Sequence, residues 1–140
     1  MFLSMKKKTI RIAGLLCLFF VSAVAVIAYR IYNKPHRSAA TETAVVLTAM
    51  QLAAEYEKDE AGANKKYLGN AVQVSGTVSE VSVNQQNKPV IALMGTGMSG
   101  VQCTLQDNPH DIKKGDAVTI KGFCTGYLTD VIMDRCIIGR

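Results

Sequence analysis

Hydrophobic positions fall into three successive regimes along the chain. From Ile12 to Tyr29 there are 18 consecutive uncharged, mostly apolar residues, bounded by Arg11 and Arg30. As a helix they would span roughly 27 Å, close to the hydrocarbon thickness of a bilayer. A soluble amphipathic helix would carry polar residues at every third or fourth position, and this stretch carries only Ser22. Residues 12–29 are therefore expected to form a transmembrane helix. From about Thr41 to Lys66 the pattern changes to a stripe. Val45, Ala49, Leu52 and Tyr56 recur at three- and four-residue steps, predicting a helix capped by Ser38 or Thr41 and ended before Gly69.

The period then becomes two. Val72, Val74, Gly76 and Val78 alternate with polar residues, predicting a half-buried strand. Asn84–Lys88 is a polar turn, Pro89–Met94 a second strand, and Val101, Cys103 and Leu105 mark a third. After a loop over Asp107–Gly115, Ala117–Tyr127 and Val131–Ile138 read as the fourth and fifth strands. A helix followed by five short strands at this spacing predicts a mainly β protein with a small closed barrel. Asn33–Ala40, with Pro35 and several polar residues, breaks both periodicities and reads as a linker. The expected divisions are residues 1–32 as N-terminus and membrane anchor, 33–40 as linker, and 41–140 as the folded domain.

Charge alters this picture only when it is divided by region. The formal net charge is +5, yet seven of the 16 Lys and Arg precede residue 41, with no acid among them. Nine basic residues therefore face all 11 acids in the remainder, a net of −2. The basic balance belongs to the anchor and carries no argument for a polyanion partner. Lys6, Lys7, Lys8 and Arg11 precede the span, against Arg30, Lys34 and Arg37 after it. This excess predicts a cytoplasmic N-terminus with the domain on the far side. Two other fates remain open for the segment. Ala23-Val24-Ala25 offers a signal-cleavage site, and Cys17 is formally a lipid acceptor, although Leu16 is not the small residue such a site needs.

Two stretches carry a family resemblance. The run Asp59-Glu60-Ala61-Gly62-Ala63-Asn64-Lys65-Lys66-Tyr67-Leu68-Gly69, then Val72–Val78, resembles the opening of the tRNA_anti-like group of bacterial OB-fold proteins. Lys114–Gly126, followed by Asp130-Val131 and Cys136, is similar to the same group. The resemblance covers about residues 45–138. It implies a five-stranded OB-fold barrel, export or membrane attachment, and no catalytic motif. The expected strand order is 1-2-3-5-4-1, which makes the strands of Cys124 and Cys136 neighbours and sets that of Cys103 beside that of Cys136.

Candidate chemistry is sparse. Gly95-Thr96-Gly97-Met98-Ser99-Gly100 spells the dinucleotide-binding fingerprint, which requires a helix N-terminus directly after the glycines. Val101–Leu105 alternates as a strand instead, so a hairpin loop is expected. Cys103, Cys124, Cys136 and His110 are donor types for zinc, but no pair has the close spacing of a zinc knuckle. His110 sits in a polar loop, Asp130 in a turn, and Asp134 on a solvent-facing strand position. No catalytic, cofactor or metal site is predicted, and no cofactor is expected. In an oxidising compartment a disulfide is expected instead. Cys124–Cys136 is symmetric about a turn centred on Asp130, Cys103–Cys136 is the rival pairing, and free thiols are the third case. OB barrels often bind single-stranded nucleic acid, but that requires a basic groove and exposed rings. This domain has no Trp and only Tyr56, Tyr67, Phe123 and Tyr127. Lys121, Phe123 and Tyr127, alternating on one strand face, are the candidate ligand residues. The expected function is a non-enzymatic binding or interaction module, anchored in the inner membrane and facing the periplasm. Its expected partner is an envelope protein or other extracytoplasmic ligand. The alternatives are a single-stranded nucleic-acid binder and an exported enzyme with an unrecognised site.

Overall fold

A computed structural model describes residues 7–34 and 37–139. Lys6 of the basic cluster, Pro35 and His36 of the expected linker, and Arg140 lie outside the described residues. The chain divides into two compact units, Met1–His36 and Arg37–Arg140. In the first, α1 (Lys7–Tyr32) is a 26-residue helix without a buried residue. It reaches a mean hydropathy of 2.5 over 18 residues, which makes it long and apolar enough to cross a bilayer. Its one serine in the apolar stretch, Ser22, donates to the Phe19 carbonyl at 2.8 Å and so does not present an unpaired polar group.

The second unit is a closed barrel. Its elements are β1 (Val45–Thr48), α2 (Ala49–Lys58), α3 (Glu60–Tyr67), β2 (Ala71–Val83), β3 (Pro89–Leu93), β4 (Val101–Leu105), β5 (Ala117–Tyr127) and β6 (Val131–Ile138). β2 is the pivot. At 13 residues it is long enough to pair with β5 through Ala71–Thr77 and with β3 through Val78–Val83. The sheet runs β2-β3-β4-β6-β5 and closes through β2–β5, which is the expected 1-2-3-5-4-1 order. β4 and β6 run parallel, and the other barrel neighbours are antiparallel.

The expected continuous helix over 41–66 is replaced by three elements. Val45–Thr48 forms a short strand parallel to the start of β2. β-branched Val45 and Val46 suit an extended edge, and Thr48 then starts the helix. Its hydroxyl accepts the Gln51 N–H at 3.1 Å while the Gln51 side chain accepts the Thr48 N–H at 3.0 Å. This capping box, rather than Ser38 or Thr41, sets the boundary. Asp59 ends α2 and starts α3, its carboxylate accepting the Gly62 N–H at 3.1 Å. The apolar stripe survives the break: Ala49, Leu52 and Tyr56 are buried in the barrel core with Val72, Val74, Ile91, Leu93, Ile120 and Met133. Val45 drops out and is exposed. Ala39, expected within the linker, is fully buried with Ala71 and Phe123 in a second small cluster on the opposite face of the β2–β5 wall.

The β5–β6 hairpin is centred one residue earlier than expected. Tyr127 pairs with Val131 and Ile120 with Ile138, which centres the turn on Thr129 rather than Asp130. Register shifts lie between Lys121 and Phe123 and between Cys124 and Gly126. They leave Met133, not Cys136, opposite Cys124. A β-bulge reverses which side of the sheet later residues face. Accordingly Phe123 packs in the small outer cluster, whereas Tyr127, four residues on, packs against the core.

Candidate binding cleft

The glycine-rich segment after β3 is a loop between two strands, as the alternation of Val101–Leu105 predicts, and it is held at three points. Gly100 donates its N–H to one oxygen of the Asp130 carboxylate at 2.7 Å, and the Gln102 side-chain amide donates to the other at 2.7 Å. The Gly100 carbonyl accepts from the Val131 N–H at 2.9 Å. Ser99, nearly buried, shares a 2.9 Å hydrogen bond with the Tyr127 hydroxyl, and the Tyr127 ring stacks on Tyr56 at 5.3 Å. The loop turns back on itself through a 3.1 Å bond from the Ser99 N–H to the Thr96 carbonyl. A Cβ at Gly95 would collide with the Ser99 carbonyl, and Gly97 adopts φ +60, so glycine at these two positions permits the tight turn.

Beneath this loop lies an open cleft of about 450 Å³ on the outer face of β3 and β4. Ser79, Glu80, Ala92 and Gln102 form its floor and sides, Asp130 closes one end, and Met94 and Met98 stand on its rim. Met98 is 94% exposed, an unpartnered apolar side chain at the loop tip. Two carboxylates and no Lys or Arg line the cleft. Lys113 and Lys114 line a separate groove on the far side of Glu80.

The ligand-face candidates from the sequence are not brought together. Phe123 is 1% exposed. Its ring is covered by the guanidinium groups of Arg37 at 5.0 Å and Arg135 at 4.4 Å. Arg37 is itself paired with Glu42 at 2.8 Å; that hydrogen bond, with the charge of Arg37, lowers the Glu42 carboxyl below its ordinary value. Lys121 lies half-exposed near this cluster, and Tyr127 faces the core. None of the four rings in the barrel unit is exposed, so a stacking platform is absent from its described residues. The remaining two, Tyr56 and Tyr67, sit 6.2 Å apart in the core. Burial, and then a hydrogen bond to Glu55, pushes the Tyr67 hydroxyl up to about 12.

The other sequence candidates are dispersed. His110 is exposed in the loop between β4 and β5, and Asp134 lies across from Phe123, away from Asp130. No group of three or more metal-ligating side chains occurs among the described residues. Cys103, Cys124 and Cys136 are all buried thiols, and the register sets Met133, rather than the expected partner Cys136, opposite Cys124. The Cys124 sulfur instead lies 3.2 Å from the Tyr56 hydroxyl. Sequence inspection missed the cleft because Glu80, Gln102 and Asp130 come from three separate segments. Two signals were available for it: the glycine run, and an Asp at the hairpin turn able to cap backbone N–H groups.

The closed five-stranded barrel with this strand order defines an OB-fold domain. A family model described as tRNA_anti-like matches residues 4–138, and the chain belongs to that family. No curated protein sequence matches it. Among solved structures it is similar to a crystal structure of a "putative nucleic acid-binding lipoprotein" from Klebsiella pneumoniae subsp. pneumoniae MGH 78578. The TM-score is 0.53 at 14% identity, over 69% of this chain and 92% of that one, a likeness of fold.

Proposed function

We propose that the protein is a non-enzymatic binding module, tethered to the inner membrane by α1 and displaying its OB barrel in the periplasm. The cleft under the glycine-rich loop is its ligand site, and an uncharged or cationic segment of an envelope protein is its ligand. The carrying observation is that this cleft offers two carboxylates, a Gln amide, exposed backbone and two methionine thioethers, with no cation on its walls. Such a surface repels phosphates, and flexible methionines adapt to apolar side chains. The anchor reading rests on an apolar helix with no buried residue, and the orientation on the charge cluster before it.

The rival reading, single-stranded nucleic acid, is favoured by the description of the Klebsiella protein as a putative nucleic acid-binding lipoprotein and by the Lys113–Lys114 pair beside Glu80. Two measurements decide between them. A photo-crosslinking residue in place of Met98, used in intact cells, is expected to capture an envelope protein, with capture lost on Glu80→Lys. Fluorescence anisotropy with mixed-sequence oligonucleotides is expected to show no useful binding by the full chain at physiological salt. Sub-micromolar affinity that persists there would replace the proposal with its rival. Phosphatase fused after Arg140 is expected to be active, and an inactive fusion would reverse the orientation.

A further inference from the structure

β6 carries a device whose purpose the barrel alone does not explain. Met133 and Cys136 both point into the core although they stand three positions apart, where simple alternation would turn one of them outward. The reversal is made at Arg135, a non-glycine residue at φ 50, within an irregular stretch of the parallel β4–β6 ladder. Cys103 lies opposite Met133, and Cys136 lies opposite Leu105. The turn at Arg135 thus keeps Cys136 on the same inward side of the β4–β6 seam as Cys103, two residues along β4 from its partner Leu105. Space for Cys136 is left on the next strand, since a Cβ at Gly122 would overlap the Cys136 sulfur. Both cysteines are 0% exposed, while Cys124 is engaged with Tyr56.

We infer that Cys103 and Cys136 form the disulfide of this domain, linking β4 to β6 across the parallel seam of the barrel, and that Cys124 stays a thiol. Two S–H bonds break and one S–S bond forms. The two electrons and two protons pass to the disulfide of a thiol oxidant, which becomes a dithiol. The pair is buried in the folded barrel, and the contact with Cys103, together with burial, holds the Cys136 thiol protonated. Oxidation therefore belongs to folding, before the seam closes, because the thiolate is the attacking species.

The inference rests on the extracytoplasmic placement proposed above, and two arms separate the two. In the first, the full chain is isolated from the envelope with thiols trapped by acid and alkylated, then mapped by non-reducing peptide mass spectrometry. In the second, the detergent-solubilised full chain is reduced in denaturant and refolded with glutathione and its disulfide. Both arms are expected to yield one Cys103–Cys136 crosslinked species, two hydrogens lighter than the reduced chain. Reductant is expected to lower the melting temperature of wild type and of Cys124→Ser alike, and to leave Cys103→Ala/Cys136→Ala unmoved. A crosslink through Cys124, or free thiols after the second arm, would overturn the pairing. The bridge in the second arm with free thiols in the first would uphold the pairing and overturn the placement.

Discussion

Asp130 is the residue on which the shape of the cleft depends, and Asp130→Ala isolates that dependence. The substitution removes the acceptor for a part-buried Gly100 N–H at 2.7 Å and for the Gln102 amide at 2.7 Å. A hydrogen bond to a charged group contributes about 1.5–3 kcal/mol when its partner is left unpaired in partial burial. The Gln102 amide is solvent-exposed, so water replaces its partner and its share is about 0.5 kcal/mol. The expected loss is about 2–3 kcal/mol, a fall in melting temperature of roughly 10 °C for a unit of this size. Asp130→Asn keeps a carbonyl for the Gly100 N–H while losing its charge, and should lose about half as much. Hydrogen exchange supplies the local reading. The Gly100 and Val131 amides should exchange faster in Asp130→Ala, while the β2–β5 amides change only in step with global stability. A melting shift under about 2 °C, with unchanged Gly100 exchange, would show that the loop is held by its own turn and that this account of the cleft is wrong.

Gly122→Ala should destabilise the barrel by about 2–3 kcal/mol in denaturant unfolding. The new Cβ would overlap the Cys136 sulfur and meet the Asp134 carbonyl at 3.1 Å and the Cys136 Cα at 3.2 Å, atoms fixed in the adjoining strand. Wild-type stability would show the β5–β6 contact to be looser than described. Stability should also fall at alkaline pH. Tyr67 is raised from 10.0 to about 12 by burial and Glu55, and burial together with Cys124 raises Tyr56 as well. Between these values the folded state holds protons that the unfolded state has released. The stabilisation is thus complete below pH 10.0 and is lost as pH rises toward about 12. Urea midpoints measured across that range should decline in wild type and less steeply in Tyr67→Phe, and a flat wild-type profile would refute the assignment.

Local pattern sufficed where one physical signal acted alone. The uninterrupted apolar stretch specifies α1 because no alternation or stripe competes with it. The bounds of β5 and β6 are legible to the residue, because polar and turn residues flank each apolar run, although burial within them is not strictly alternating. The Ala49–Leu52–Tyr56 stripe correctly names the buried face of α2. The boundary before it was misplaced, because Val45 satisfies the helical period while its true place is an edge strand paired with β2. A parallel partner 27 residues later in the register Val45↔Val72 leaves no local trace. The Thr48–Gln51 capping box was the one signal within reach.

What tertiary structure decided was facing and convergence. A β-bulge adds one residue and inverts every side chain after it, and nothing in composition announces where it falls. The shift near Gly126 sends Tyr127 inward while Phe123 stays outside under two arginines, which separates the residues that alternation had grouped as a ligand face. The shifts in the β5–β6 ladder set Met133 opposite Cys124, so the symmetry of Cys124 and Cys136 about a turn at Asp130 has no counterpart in the register. The cleft is likewise a product of closure. Asp130 meets Gly100 only because β4 and β6 are joined in parallel, a long-range pairing that fixes which loops meet at one end of a barrel. Local propensity acts over a few residues and determines the elements; sites assembled across such pairings depend on register, which only the packed barrel determines.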